Sequence, residues 1–126
     1  MDVSTQATRL NAAIERLEHV LEDADLRFVA RVTLDDEYDL LWHPHGGSRR
    51  WRVCVAATGG GKLATDRSPL TNSTLAKRIA AATKLPTLYE AVLRARDEFM
   101  ADLPAALAAV EEFTETVEGK HLKERR

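Results

Sequence analysis

The stretch that decides the fold is LRFVARVTLDDEYDLLWHPHGGSRRWRVCVAA, Leu26 to Ala57. Within it, apolar and polar residues alternate in three runs, 26–34, 38–43 and 51–56. Such alternation is typical of strands that bury one face. The connections between the runs are short, whereas parallel neighbours require a long crossover, so the pattern predicts a three-stranded antiparallel meander.

The alternation sorts the strand residues onto two faces of the predicted sheet. The apolar face carries Phe28, Val32, Leu40, Trp42, Trp51, Val53 and Val55. The opposite, wetter face carries Arg27, Arg31, Asp39 and Arg52, with Val29, Leu41 and Cys54 among them. A sheet with one apolar face needs other elements to cover it, so we expect helices to pack on that side.

Helical spacing flanks the strands on both sides. Before them, apolar residues at intervals of three and four predict an amphipathic helix over Val3–Ala24, with Asp2 or Ser4 as its N-cap. After them, Thr71 is the predicted N-cap of a further helix, which Pro86 ends or bends. The order along the chain is therefore helix, sheet, helices.

The longest helical pattern covers Leu85–Glu118, where apolar residues again recur every three or four positions. Pro104 interrupts this pattern and is expected to kink the helix or split it in two, and Gly119 is expected to end it. One straight helix over this range would be about 50 Å long, whereas a compact domain of this size is about 30 Å across. Either the helix folds back at Pro104, or part of it leaves the domain with its apolar residues exposed.

Together these patterns predict an α+β fold: an N-terminal helix, a three-stranded antiparallel meander, then two or three C-terminal helices. The length of 126 residues is typical of a single domain. The predicted domain covers residues 1–119, and a charged tail follows at 120–126. Its predicted parts are a helix at 1–25, the sheet at 26–57, a flexible loop at 58–71 and helices at 72–118.

The net charge of −2 conceals an uneven distribution along the chain. Residues 1–25 carry two basic and six acidic groups, net −4, and residues 85–126 carry six basic and nine acidic groups, net −3. Residues 26–84 between them carry ten basic and five acidic groups, net +5. Internal pairing and solvated helix faces account for such a layout, and so does a basic surface that meets an anionic partner.

Two stretches suggest binding chemistry without completing a motif. Gly59–Lys62 begins like a phosphate-binding loop, but Ala56 stands where that motif needs its first glycine and Leu63 where it needs Ser or Thr. His43 and His45 resemble a metal-binding pair, but no further ligands follow at metal-binding spacing. We therefore predict no metal site and no nucleotide hydrolysis.

The sequence also contains no motif typical of nucleophilic catalysis. Cys54 is the only cysteine and lies in a predicted strand among apolar neighbours, which is typical of a structural thiol. No G-x-S-x-G motif occurs. We predict no enzyme activity and no cofactor. Without a secretory signal or an apolar run near about 20 residues, a cytoplasmic protein that does not enter a membrane is expected.

The sequence favours a non-enzymatic interaction or accessory protein that self-associates through its helices. The simplest partner for an exposed apolar helix face is a second copy, so a homodimer is expected, with a basic surface presented to an unidentified protein partner. The residues assigned to self-association are Leu103, Val110, Phe113 and Val117 in the last segment and Leu10 and Leu17 in the first helix.

The alternative is a binder of an anionic small ligand or of nucleic acid. Its candidate contacts, named the basic cluster, are Arg27, Arg31, Arg49, Arg50, Arg52, Lys62 and Arg67. Trp51 and His45 lie beside several of them, and nucleic-acid-binding surfaces combine cations with stacking aromatic rings. The isoelectric point of about 6.1 and the acidic ends of the chain favour the interaction protein instead.

Overall fold

The computed structural model of the chain describes residues 2–47, 49–58 and 67–124 and has the predicted α+β architecture. The elements in chain order are α1 Val3–Asp23, β1 Ala30–Thr33, β2 Tyr38–His45, β3 Arg50–Ala57, β4 Ser68–Pro69, a short 3₁₀ helix Leu70–Asn72, α2 Leu75–Ala82 and α3 Leu85–Glu124. The chain forms two compact units, Met1–Ala95 (unit 1) and Arg96–Arg126 (unit 2).

The sheet of unit 1 has the strand order β1-β2-β3-β4, and every neighbouring pair is antiparallel. The three long strands are those of the predicted meander. The fourth strand is new: its residues Ser68 and Pro69 lie opposite Val55 and Cys54. Two residues are too few to show an alternating pattern, and β4 and the first two residues of the 3₁₀ helix lie in the range 58–71 that was predicted as a flexible loop. Residues 59–66 of that loop lie outside the described part of the chain.

The apolar sheet face forms the core of unit 1, as predicted. Leu40, Trp42, Val53 and Val55 are buried there, and Phe28, Val32 and Trp51 are partly buried against them. Their helical partners are Ile14 and Leu21 of α1, Ala81 of α2, and Leu88 and Val92 of α3. The indole of Trp42 donates a hydrogen bond to the Leu26 carbonyl (2.6 Å), which satisfies its one polar group inside the core.

The second sheet face is drier than its polar sequence suggested. Leu41 and Cys54 face each other across β2 and β3 and are both buried, and Pro69 of β4 lies next to Cys54. Val29, in contrast, is exposed. The expectation of a wet face is therefore wrong for its central residues.

Helix α1 begins and ends with standard caps. The carboxylate of Asp2 accepts a hydrogen bond from the Thr5 amide (2.7 Å), which confirms Asp2 as the N-cap. At the other end, the amides of Asp25 and Leu26 bond back to the carbonyls of Glu22 and Leu21, the pattern of a Schellman motif. Asp25 takes the left-handed position, φ 59°, that glycine usually fills.

This helix end shortens the first predicted strand. The Leu26 amide is used by the Schellman motif and its carbonyl by Trp42, so the backbone at Leu26 is not available to a sheet ladder. Consequently β1 begins at Ala30 and not at Leu26.

Helix α2 begins later than predicted. Thr74, and not Thr71, is its N-cap, and the Thr74 hydroxyl accepts a hydrogen bond from the Lys77 amide (3.3 Å). The Thr71 hydroxyl accepts a hydrogen bond from Arg52 instead (2.9 Å). Threonine is a good N-cap residue at either position. The hydroxyl of Thr71 is used by Arg52, so Thr74 is the residue that caps α2.

Helix α3 is one helix in which Pro104 is an internal residue, so the expected split at Pro104 does not occur. It also continues through Gly119 to Glu124, beyond the predicted end at Glu118. The alanines that surround Pro104, namely Ala101, Ala105, Ala106, Ala108 and Ala109, are the strongest helix formers. Their propensity offsets the lost backbone donor of the proline.

Candidate functional site

The exposed surface of unit 2 is the first candidate site. Every residue of α3 from Asp97 to His121 is exposed, including its large apolar side chains. We define the α3 seam as Phe99, Met100, Leu103, Ala106, Leu107, Val110, Phe113 and Val117. Their exposed fractions run from 48% for Val117 to 68% for Phe113 among the large residues. Four residues predicted for self-association, Leu103, Val110, Phe113 and Val117, belong to this seam.

The spacing of the seam residues places them on one side of the helix. Positions 99, 103, 106, 110, 113 and 117 are separated alternately by four and three residues, which is the a/d repeat of a coiled coil. Met100 and Leu107 each follow a d position and widen the stripe. Neither residue was among those predicted for self-association, and both are exposed on the same face as the seam.

Charge is kept away from the middle of the seam. Between Asp97 and Glu118 the chain carries seven acidic residues and no basic one. The residues that flank the a and d positions are Met100, Leu107 and Thr114 on one side and Asp102, Ala109 and Thr116 on the other. Only Asp102 among these is charged, so the carboxylates of Glu111, Glu112, Glu115 and Glu118 project from the outer face.

A shallow depression of about 260 Å³ lies at the N-terminal end of the seam. Phe99, Asp102, Leu103 and Ala106 line it. The small Ala106 side chain between larger neighbours leaves this space on the helix surface. Such a depression is the kind of hole that a side chain from a facing helix fills in knobs-into-holes packing.

The two residues predicted for self-association in α1 also pack within the chain. Leu10 and Leu17 are partly buried and pack against the hydrophobic core of unit 1. Their apolar surface is therefore largely used within the chain, and the α3 seam is the stronger candidate for a contact between chains.

The basic cluster is the second candidate site, and unit 1 neutralises much of it internally. Arg31 donates from Nε to the Asp39 carboxylate (2.5 Å) and from Nη2 to the Ala57 carbonyl (3.2 Å). The other Asp39 oxygen accepts from the Thr58 hydroxyl (3.1 Å). Arg31 thus ties β1 to β2 and β3 across the second sheet face.

Arg52 makes the most buried ion pair of the chain's described part. Its Nε lies 3.0 Å from both carboxylate oxygens of Glu18, a residue of α1 with only 2% of its surface exposed. The same carboxylate accepts a hydrogen bond from the Val53 amide (2.7 Å). This role of Glu18 has no signal in the sequence, where Glu18 looks like one of several solvent-facing glutamates on α1.

Arg50 also faces α1. Its Nε lies 3.8 Å from a Glu22 oxygen, and its Nη2 lies 3.0 Å from the ring nitrogens of His19. Two arginines of β3 therefore meet two glutamates and a histidine of α1. The basic middle and acidic start of the chain are complementary here.

The remaining members of the basic cluster are scattered. Arg27 pairs with Asp25 at 3.0 Å, and both are largely exposed. Arg49 is exposed in the β2–β3 turn with φ 53°. Arg67 Nε is buried and has no hydrogen-bond partner among the described residues. Lys62 lies outside the described residues.

The neighbouring cations of α2 are engaged as well. Lys77 Nζ lies 3.5 Å from the centre of the Tyr38 ring, a cation–π contact. Arg78 donates to the Asn11 side chain (2.7 Å). Among the described cations of residues 27–78, Arg31, Arg50, Arg52, Lys77 and Arg78 thus link elements of unit 1.

The candidate nucleophile and metal ligands lack a reactive setting. Cys54 is fully buried, and this burial raises the pKa of its thiol to about 11, so the thiol stays protonated at neutral pH. The His43 ring is hydrogen-bonded to the Pro44 carbonyl (2.8 Å). Within residues 2–47, 49–58 and 67–121, no three His, Cys, Asp or Glu side chains are grouped to hold a metal ion.

An apolar cleft of about 400 Å³ opens in unit 1. Its lining residues are Leu17, Leu21, Val53, Ala82, Leu85, Pro86, Leu88, Tyr89 and Val92. These residues are almost all apolar, so the cleft has few groups that could orient or activate a substrate. We interpret the cleft as an incompletely filled part of the core.

Comparison with known proteins finds no matching family model, no matching curated protein and no matching solved structure. The helices in the described part of the chain include none whose length and hydropathy suit a bilayer crossing.

Proposed function

We propose that this chain is a non-enzymatic interaction protein that self-associates through the α3 seam. The observation that carries the proposal is the exposure of the seam: a regular a/d stripe of large apolar side chains covers one face of the helix over residues 99–117. A helix with such a stripe gains most of its stability by burying the stripe against another element.

The size of the seam supports a specific contact. If each seam residue loses on the order of 80 Å² of accessible surface, eight residues remove roughly 600 Å² per chain, at the upper end of the apolar patches that monomeric proteins expose. Two copies would then bury roughly 1,300 Å² in total, within the size range of specific protein interfaces. A second copy is the simplest partner because it supplies an identical stripe.

The second part of the proposal concerns unit 1, which presents its surface to a different protein in the cytoplasm. The anion-binding alternative has less support. Arg31, Arg50 and Arg52 already contact carboxylates of their own chain. A ligand would have to compete with these internal pairs or rely on the cations that remain.

Light scattering and sedimentation of the full chain over a wide concentration range test the self-association. We expect a dimer whose mass falls to that of a monomer in the double variant Val110→Lys, Phe113→Lys, because two cations would be buried in an apolar seam. Helix content by circular dichroism checks that both proteins are folded.

The matched control is the double variant Ala101→Lys, Ala108→Lys. It adds the same two charges to the outer face of the same helix, so its mass should remain that of the dimer. A wild-type chain that is monomeric at every concentration, or a dimer that tolerates Val110→Lys with Phe113→Lys, would refute the proposal.

A further inference from the structure

We propose that two copies of the α3 seam pair in an antiparallel orientation, with the two-fold axis passing beside Ala108. This inference rests on the proposed self-association and adds its geometry. In this register each a position of one copy lies opposite a d position of the other. The sum of the two residue numbers is the same for every facing pair. The facing pairs are Phe99 with Val117, Leu103 with Phe113, and Ala106 with Val110.

Side-chain size favours this register over a parallel one. In an in-register parallel pair every residue meets its own copy, so Phe113 faces Phe113 and Ala106 faces Ala106. Such a pair would be forced apart at one layer and left with a void at the other. The antiparallel register places no phenylalanine opposite its own copy and no alanine opposite another alanine, so the distance between the axes varies less from layer to layer.

The acidic residues favour the same orientation. In a parallel pair all seven carboxylates between Asp97 and Glu118 lie level with their own copies, and because most of them project outward, the resulting repulsion is weak and screened by salt but still unfavourable. In the antiparallel register only Glu98 and Glu118 come level with each other. Glu111, Glu112 and Glu115 of one chain then lie level with Ala105, Pro104 and Ala101 of the other.

The middle of the helix is suited to a close crossing. Ala106 in the seam and Ala109 beside it are the small residues that face the partner near the proposed two-fold axis. Small side chains let two helix axes approach to the short end of the usual 8–10 Å range. Leu107 of each chain then covers the crossing from the side.

Disulfide trapping tests the orientation with two full-length single variants, Leu103→Cys and Phe113→Cys. Each position lies on the exposed seam, so the fold of unit 1 is not disturbed. The native Cys54 is buried and stays out of reach of the oxidant. One chain carries a mass tag, the two are mixed and mildly oxidised, and free thiols are alkylated before the chains are separated in denaturant.

An antiparallel pair places Leu103 beside Phe113 of the other chain and about 15 Å along the axis from its own copy. Disulfides need Cα atoms within about 7 Å, so we expect at least about tenfold more mixed dimer than either self-linked dimer. Each variant oxidised alone should remain largely unlinked.

The other outcomes separate the two proposals. Efficient self-linking of Leu103→Cys alone and of Phe113→Cys alone would show a parallel pair and overturn the orientation. A dimer by light scattering that links in none of the three samples would overturn the register while leaving self-association intact. A monomer at every concentration would overturn both. The outer-face variant Glu115→Cys controls for linking by random collision.

Discussion

At the scale of single residues, Glu18 has a structural role at the sheet edge that its position in the sequence does not indicate. Strand β4 pairs only with Cys54 and Val55, so the next amide along β3, that of Val53, has no strand partner on this side. The buried carboxylate of Glu18 accepts that amide and the Arg52 guanidinium together. One side chain of α1 therefore closes the edge of the sheet where the fourth strand stops.

Replacing Glu18 with glutamine should destabilise unit 1. Glutamine keeps the shape and one acceptor but removes the charge that balances Arg52, whose own side chain is only one quarter exposed. We expect a loss of about 2–3 kcal/mol in the free energy of unfolding, measured by urea titration. Glu15→Gln, an exposed change on the same helix, should have almost no effect, and equal losses in the two variants would contradict the role assigned to Glu18.

At the scale of elements, those with periodic spacing could be predicted from the sequence, whereas those that depend on single long-range contacts could not. Helix α1 and the three long strands have regular spacing over many residues, and each was predicted from that spacing. Strand β4 and the start of α2 depend on single contacts: Ser68 and Pro69 with β3, and Thr71 with Arg52. A contact between residues far apart in the chain leaves no periodic signal, so these elements could not be located in advance.

Pro104 is the weak point of α3. It has no amide to donate to the carbonyl four residues earlier, that of Met100, and a proline inside a helix costs about 3 kcal/mol relative to alanine. Pro104→Ala should therefore slow amide hydrogen exchange in the segment around residue 100 to residue 108. The residue lies beside the outer face, so the change should leave the seam itself unaltered.

Ala105→Gly is the matched comparison for this effect. This change, at the adjacent position on the outer face of α3, lowers the stability of the helix by about 1 kcal/mol, whereas Pro104→Ala raises it. Amide hydrogen exchange in the same segment should therefore become faster. Unchanged exchange in Pro104→Ala would mean that the proline does not limit the local stability of the helix.

At the scale of the whole molecule, the chain divides its apolar residues between two tasks. Leu88 and Val92, at the start of α3, belong to the core of unit 1, whereas the seam residues of unit 2 are exposed. The same three-and-four spacing runs through both groups. Periodicity indicates that a helix has an apolar face, and only the tertiary structure shows whether other residues cover that face.

A chain that ends after Ala95 should fold and be monomeric. It keeps the whole core of unit 1 but lacks the seam, so cooperative thermal unfolding by circular dichroism and a monomer mass by light scattering are expected. A chain that ends after Leu85 loses Leu88 and Val92 and should be strongly destabilised. A dimeric 1–95 chain would place self-association in unit 1 instead of the seam.

The sequence by itself determined the order of the long elements, the apolar face of the sheet and the a/d spacing of the α3 seam, because these follow from spacing along the chain. Only the tertiary structure decided what the charges do. Arg31, Arg50 and Arg52 look like a free basic surface in the sequence, yet each meets an acidic residue between 8 and 34 positions away. Pairing over such distances depends on how helix and sheet pack, and local periodicity carries no information about it.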